Sequence, residues 1–370
     1  MSALRQKIEQ EIREHGPLAF SRYMELCLYD PELGYYSRNA AQFGKAGDFY
    51  TSSDVHAVFG RLLARQFEEM WRVLGSPELI RLKELGPGRG GFAQDVLDWS
   101  EKKFPDFFHA LRYVLDERSA ALRQRIEVTL GRHLESGKAA LVADNEVSPP
   151  NIVFANEFFD ALPVEVLSPE GSLRVDLSDE RLLETWEQPS PHELEFLDRY
   201  SVHPERGERI EVSLQSQNQM RDAASLERGF VVVVDYGYAR EEQLAGRHRG
   251  TLKAIRQHSV SATPYEAPGE QDITADVNFT ALAAVAEQQG MRTQKLITQS
   301  QFLMGIGEAN AFADAFEECR LPQERAKVAL QLKHLVTPAG MGESFHVLVA
   351  SKGVDSEKAV ALAGLAFGRR

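Results

Sequence analysis

Apolar residues follow two rhythms along this chain. Over residues 3–15, Leu4, Ile8 and Ile12 recur at four-residue spacing, which predicts a short amphipathic helix ended by Gly16-Pro17. Phe20, Tyr23, Met24, Cys27 and Leu28 fit one face of a second helix, broken at Asp30-Pro31 and Gly34. A loop, GDFYTSSD at 47–54, offers Ser53 or Asp54 as the cap of a third helix. That helix begins near Val55, carries Val58, Leu62, Leu63, Phe67, Met70 and Trp71, and runs to Leu74. From Leu79 the rhythm becomes strand, then helix. Strands are expected at 79–85, 111–115, 139–143, 152–155 and 230–234, with helices from Phe92 and over 120–130 between them. The run 231–234 is four valines, as suits a strand buried on both faces. This alternation predicts an α/β fold with a doubly wound parallel sheet, whose ligands sit beyond the carboxyl ends of the strands.

The span between the fourth and fifth strands is too long for a simple crossover. It reads as short strands at 164–167, 173–177 and 182–186, then helices near 191–200 and 209–227. Beyond the fifth strand come a Gly-, Pro-, His- and Arg-rich elaboration and an alternating stretch that turns into a helix by 289. A strand at 291–298, a helical region at 299–335 broken near 304–307, and a last strand at 344–350 follow. The expected organisation is an N-terminal helical cap (1–77), a first part of the core (78–163) and an inserted β-rich subdomain (164–228). A second part of the core (229–353, elaborated at 237–270) and a tail (354–370) complete it.

Composition narrows the function. The 370 residues carry a formal net charge of -13, which disfavours nonspecific nucleic-acid binding and suits a basic protein partner. Cys27 and Cys319 are far apart and form no CxxC, so neither a disulfide framework nor a metal site is expected. No apolar run approaches the length of a membrane span, and Glu9, Glu11 and Glu14 argue against a transit peptide. The expected setting is the reducing cytoplasm.

The candidate chemistry gathers where the strands end. LKELGPGRGGF, at 82–92, reads as a strand end, a glycine turn through Gly86, Gly88 and Gly90, and a helix start. Gly86, Gly88 and Gly91 also satisfy G-x-G-x-x-G, the dinucleotide fingerprint. Two features weigh against a dinucleotide. Glu84 would repel a pyrophosphate, and Glu117 lies 31 residues after Gly86, where a dinucleotide fold places its ribose acid about 20 residues on. S-adenosylmethionine carries an ammonium, a sulfonium and no phosphate, so Glu84 suits its cationic end. Glu117 can accept from both ribose hydroxyls, with Asp116 a rival for that role, and Asp144 or Asn145 can meet the adenine amino group. A second cluster, ANEFFDALP at 155–163, follows the fourth strand. Asn156, Glu157 and Asp160 there would face the methyl donor, and Glu157 and Asp160 could orient a guanidinium and accept its proton. Tyr29, Tyr35 and Tyr36 read either as an aromatic staple or as part of a lid or substrate wall.

These motifs are similar to those of the MidA-like family. The resemblance rests on RYMELCLYDPELGYYS, GDFYTS, ELGPGRG, LDERSAALRQ, ANEFFDALPVEV, DYG at 235–237, GTL…H at 250–258 and PGEQDITADVNFTAL at 268–282. It implies a Rossmann-like, seven-stranded class I methyltransferase sheet with S-adenosyl-L-methionine as cofactor. The family includes the mitochondrial complex I assembly methyltransferase, so the resemblance further implies symmetric dimethylation of arginine in a protein substrate, a respiratory-complex subunit. By motif it assigns Glu84, Gly86, Gly88, Gly90 and Glu117 to the cofactor, and Asn156, Glu157 and Asp160 to the reaction centre. Asp235 and Tyr236 match the DYG that ends the fifth strand. His258 matches a family histidine, for which a loop hydrogen bond weighs more than a proton relay or substrate contact. Ser53, His56 and Asn278 depart from the family pattern, which leaves substrate identity open. Two other functions fit the same residues: an assembly chaperone that binds a client without turnover, and a small-molecule methyltransferase.

Overall fold

The structure, a computed structural model, describes residues 2–38, 57–142, 149–179, 181–256, 259–261, 263–338 and 340–368. Among the described residues its main sheet has nine strands, seven of them along one continuous path: β1 (Ile80–Leu85), β2 (Leu111–Asp116), β3 (Ala139–Leu141), β4 (Ile152–Asn156), β5 (Gly229–Tyr238), β6 (Arg292–Thr293) and β7 (Phe345–Lys352). Their spatial order is β3-β2-β1-β4-β5-β7-β6, with Val277–Asn278 added beside β5 and Ile297–Thr298 beside β7. Strands β1 to β5 pair in parallel, so the chain reverses winding direction between β1 and β4. Strand β7 departs from the all-parallel expectation and runs antiparallel to β5 over eight residue pairs. A mixed sheet results.

The valine run follows from two buried faces. Phe230, Val232 and Val234 join one core cluster, while Val231 and Val233 join another. The same division holds in β4, where Ile152 and Phe154 face one way and Val153 and Ala155 the other. Successive strand side chains point to opposite faces, so a strand covered on both sides must be apolar throughout. Helices Ala57–Val73, Gly91–Lys103 and Gln299–Glu308 cover the first face, and Leu214–Ala223 and Phe279–Gln288 cover the second.

The insertion forms a five-stranded sheet, and the N-terminus contributes a strand to it. Leu18–Ala19 pairs antiparallel with Gly171–Ser178, which in turn pairs with Glu165–Ser168 and Arg181–Glu187. Residues expected as one helical region therefore divide. The helices Ala3–His15 and Phe20–Tyr29 pack with Val166, Leu173 and Val175 of the insertion, whereas Ala57–Val73 packs on the main sheet. The stretch expected as one helix at 209–227 opens with a strand, Ile210–Val212, paired to Glu165–Ser168. The helix expected to break at 304–307 continues to Glu308. Its glycines serve close packing: a Cβ on Gly305 would lie 2.3 Å from the Ala363 carbonyl oxygen, and one on Gly307 would strike the Phe312 ring. The chain turns just beyond, where Ala311 and Phe312 have φ of 53° and 57°. The 291–298 strand is two short pieces, both paired to β7.

Asn278 has a local explanation. Its Oδ1 caps the helix Phe279–Gln288 by accepting from the Ala281 N–H (2.9 Å), and its Nδ2 donates to the Tyr200 carbonyl (2.9 Å). An aspartate could cap but not donate.

Buried Asp314 ties together helices that flank the first face. It accepts from Arg65, Trp99 Nε1 (3.1 Å) and Asn310 Nδ2 (2.7 Å). Asp314→Ala would leave a guanidinium and an indole N–H without their partner. We expect a loss of about 3 kcal/mol, read as a lower urea midpoint with an unchanged slope. A midpoint shift corresponding to less than about 0.5 kcal/mol would remove Asp314 from this role.

Candidate active site

The parallel strands deliver their carboxyl ends to one edge. Leu85 is in register with Asp116 and with Ala155, and Asn156 with Val234. The residues immediately after β1, β2, β4 and β5 therefore converge there.

The turn after β1 needs its glycines for conformation. Gly86, Gly88 and Gly90 have φ of 62°, 55° and 79°, in the left-handed region that other residues enter at a cost. The Gly86 N–H donates to the Asp116 carbonyl (3.0 Å), and the helix Gly91–Lys103 starts without a side-chain cap. A Cβ on Gly88 would meet nothing within 4 Å, whereas one on Gly86 would lie 2.7 Å from the Phe158 ring. The turn thus has an open side at Gly88 and a side closed by the loop after β4.

Glu84 sits beneath this turn rather than in the open cleft. It is 4% exposed and accepts from the Tyr113 hydroxyl (2.8 Å). Burial pushes its carboxyl up to about 8, against the opposing effect of that hydrogen bond. Asp116 is in a salt bridge with Lys83 (2.7 Å). Glu117 accepts from the Ser119 N–H (2.8 Å) and lies close enough to the Arg118 and Gly88 amides for them to favour its charged form. Burial outweighs those amides and raises Glu117 to about 7. Asp116 and Glu117 thus differ in what already occupies them, a salt bridge for one and backbone amides at the glycine turn for the other.

The loop after β4 is held by Asp235. This fully buried carboxylate accepts from Phe158 N–H (3.2 Å), Phe159 N–H (3.0 Å) and Tyr236 N–H (3.0 Å). Burial, then the nearby Asp160 and Glu157 charges, raise its pKa well above the ordinary carboxylate range. Glu157 takes φ of 50°, a conformation unfavourable for a residue with a Cβ, and donates its N–H to the Val234 carbonyl (3.0 Å). Asn156 Nδ2 donates to Glu157 Oε1 (3.2 Å). Asp160 Oδ2 accepts from the Tyr236 hydroxyl, while its Oδ1 is buried and has no hydrogen-bond partner among the described residues, although the Ala161 and Asp160 amides lie close enough to favour the charged carboxylate. Burial raises the Asp160 carboxyl to about 6.

Gly86, Gly88, Gly90, Glu117, Asn156, Glu157 and Asp160 therefore share one edge, with Glu84 under it. Asp144, Asn145 and His258 lie outside the described residues, as do Ser53 and His56. The clamp by Asp235 had a sequence signal in the DYG motif, but not a role. Its glycine does have one: a Cβ on Gly237 would lie 2.1 Å from the Val277 carbonyl oxygen, where that strand joins β5. Tyr29 and Tyr36 reach the site from the N-terminal segment. Tyr29 donates to the Ala161 carbonyl (2.9 Å) and Tyr36 to Asp272 Oδ1 (3.0 Å). Asp272 carried no signal of its own beyond the motif containing it.

The fold and this edge define an α/β transferase class that seats a nucleoside-bearing donor at a glycine turn. The residues fit S-adenosylmethionine: Gly88 leaves room over the turn, Glu117 offers a carboxylate beside it, and Asp160 Oδ1 has no donor among the described residues. Residues 62–297 match the family model described as putative S-adenosyl-L-methionine-dependent methyltransferase. The chain belongs to that family. It is 30% identical to the mitochondrial protein arginine methyltransferase NDUFAF7 homolog of Drosophila melanogaster, over 95% of this chain and 85% of that one. It is 27% identical to mitochondrial protein arginine methyltransferase NDUFAF7 of Homo sapiens, over 91% and 80% respectively. A crystal structure of a superfamily member from Burkholderia thailandensis, bound to S-adenosyl-homocysteine, superposes with a TM-score of 0.81 at 26% identity, covering 98% of this chain and 94% of that one. The chain is an S-adenosylmethionine-dependent methyltransferase.

Glu84 makes the ligand-free protein sensitive to pH. Its folded pKa of about 8 exceeds the ordinary 4.5, so the native state holds this proton more tightly than the unfolded chain does. The resulting stabilisation is complete below the ordinary value and is lost as pH rises through about 8. Glu84→Gln, which keeps an acceptor for Tyr113, should therefore melt above wild type at high pH, by on the order of a few degrees, and match it near pH 5. A difference between the two melting curves that does not change with pH would contradict the buried titration.

Proposed function

We propose that the chain is a protein-arginine methyltransferase acting on a respiratory-complex subunit and forming symmetric dimethylarginine. The observation that carries the reading is Asp160 Oδ1, a buried carboxylate oxygen with no hydrogen-bond partner among the described residues, at the edge where the glycine turn lies. A guanidinium supplies planar, charged donors that suit such an oxygen. The relatives named protein arginine methyltransferase support the same acceptor chemistry, and the MidA-like resemblance supports the respiratory subunit and the symmetric product. We place the chain in the cytoplasm on its two free cysteines, although those relatives are named mitochondrial.

When bound, S-adenosylmethionine supplies a methyl group activated on a sulfonium. Around it, Glu117 accepts from the ribose hydroxyls and the Gly86–Gly90 turn brings backbone close to the amino-acid end. Glu84 supports the turn from beneath through its bond to Tyr113, and a cationic ligand above it would favour its charged form. Asn156 and Glu157 hold the loop face at the end of β4. Asp160 Oδ1 orients the acceptor nitrogen and receives the proton it must lose, while Tyr236 keeps the other carboxylate oxygen fixed.

Two measurements test this reading. Glu117→Ala should weaken S-adenosylmethionine binding by about 1.5–3 kcal/mol per lost charge-assisted bond, seen by calorimetry. Unchanged affinity would take Glu117 out of the ribose role. Methyl-labelled donor added with the purified chain to lysate of a deletion strain should place label in protein arginine, recovered as symmetric dimethylarginine. Label confined to small molecules would mean a small-molecule methyltransferase. Client binding without any transfer would mean a chaperone.

A further inference from the structure

Two tyrosine–aspartate pairs come together beside the glycine turn, and the N-terminal segment supplies one of the two tyrosines. Asp160 is bonded to Tyr236, and Asp272 to Tyr36. The pairs belong to connected pieces of backbone, because the Ala275 N–H donates to the Asp160 carbonyl (3.0 Å). Tyr29 lies between them. Its hydroxyl is fixed to the carbonyl of Ala161, next to Asp160, and Asp160, Asp272 and Glu117 all fall within electrostatic range of it. The Tyr29 and Tyr36 rings have centroids 5.4 Å apart at 37°. The far end of this pair is tied to the loop after β2, where Ser119 Oγ donates to the Tyr36 carbonyl (3.2 Å). The tyrosines thus span from the Glu117 side of the site to the Asp160 side.

This composition is unusual for a staple. A purely mechanical contact between the N-terminal segment and the core would be met by phenylalanine, with no buried acids to compensate. Here two buried carboxylates each accept from a tyrosine hydroxyl, and the second oxygen of Asp160 has no hydrogen-bond partner among the described residues. Aromatic faces beside carboxylates favour a flat cation that can stack and donate at once, which a guanidinium does and an ammonium does less well.

We propose that Tyr29, Tyr36 and Asp272 form the outer wall of the acceptor site and select a guanidinium, against which Asp160 closes from the other side. This rests on the protein-arginine reading above. Tyr36 and Asp272 are positioning residues that fix the wall, and Asp160 supplies the direct contact.

The test uses the full chain saturated with S-adenosyl-homocysteine and three glycine-serine peptides, identical except for a central arginine, citrulline or lysine. Calorimetry should find the arginine peptide bound about tenfold more tightly than either of the others. Asp272→Asn and Tyr36→Phe should each weaken the arginine peptide by about fivefold or more, while S-adenosyl-homocysteine affinity stays within about twofold of wild type. That retained affinity shows the variants to be folded. Arginine-peptide affinity unchanged in both variants would overturn the wall and leave the arginine reading intact. Equal binding of arginine and citrulline, or a preference for lysine, would overturn the selection of a guanidinium together with the arginine reading.

Discussion

A single buried carboxylate sets the geometry of this site. Asp235 ends the apolar run of β5 and receives three backbone N–H groups, two of them from the loop that follows the neighbouring strand. Those bonds fix Phe158 and Phe159, which decides where Glu157 and Asp160 point. They also press Phe158 against the glycine turn after β1, where a Cβ at Gly86 would collide with it. Three strand ends are thereby referenced to one side chain. Removing a charge from water is costly, and here burial outweighs the three amides, so the carboxyl is raised well above its ordinary range while still accepting from them.

The donor and acceptor sides are consequently not independent. Glu117 lies beside the Gly88 amide, Phe158 closes the Gly86 side of the same turn, and Tyr29 reaches from Glu117 toward Asp160. Methyl transfer is an in-line displacement in which alignment of donor and acceptor dominates the rate. A site assembled from strand ends of a rigid sheet suits that demand. The one conformationally unfavourable residue at the β4 exit, Glu157 at φ of 50°, is held by its own N–H bond to Val234 and by the clamped residues that follow.

Much of this was legible in the chain, for reasons that differ by residue. The valine run and the alternating helices announced the doubly wound sheet because burial on two faces leaves no other pattern. The glycines of the turn and the acids at the strand ends were visible because they follow apolar runs directly. The antiparallel course of β7 was not visible, since strand direction leaves no mark in a local pattern. Ile210–Val212 is too short to declare a period of its own and merges with the pattern of the neighbouring helix. Gly305 and Gly307 looked like a helix break because close packing and chain breaking use the same residue. Glu84 was visible as an acid before the turn, but its place under the turn depends on Tyr113, a partner 29 residues away. Asp272 acquires meaning only when residues 29–36 are folded over it.

The pairing of Leu18–Ala19 with Gly171–Ser178 bears on how the molecule is made. On the ribosome, at about 5–20 residues per second, Leu18 emerges on the order of ten to thirty seconds before Val175, the residue it pairs with. The central strand β5 waits similarly for β7, near the end of the chain. During synthesis the first two helices therefore have exposed apolar faces and no sheet to rest on, and the valine strand has an open edge. Such a nascent chain invites chaperone protection, and the order of its segments makes the first two helices, translated before the sheet they rest on, late to settle.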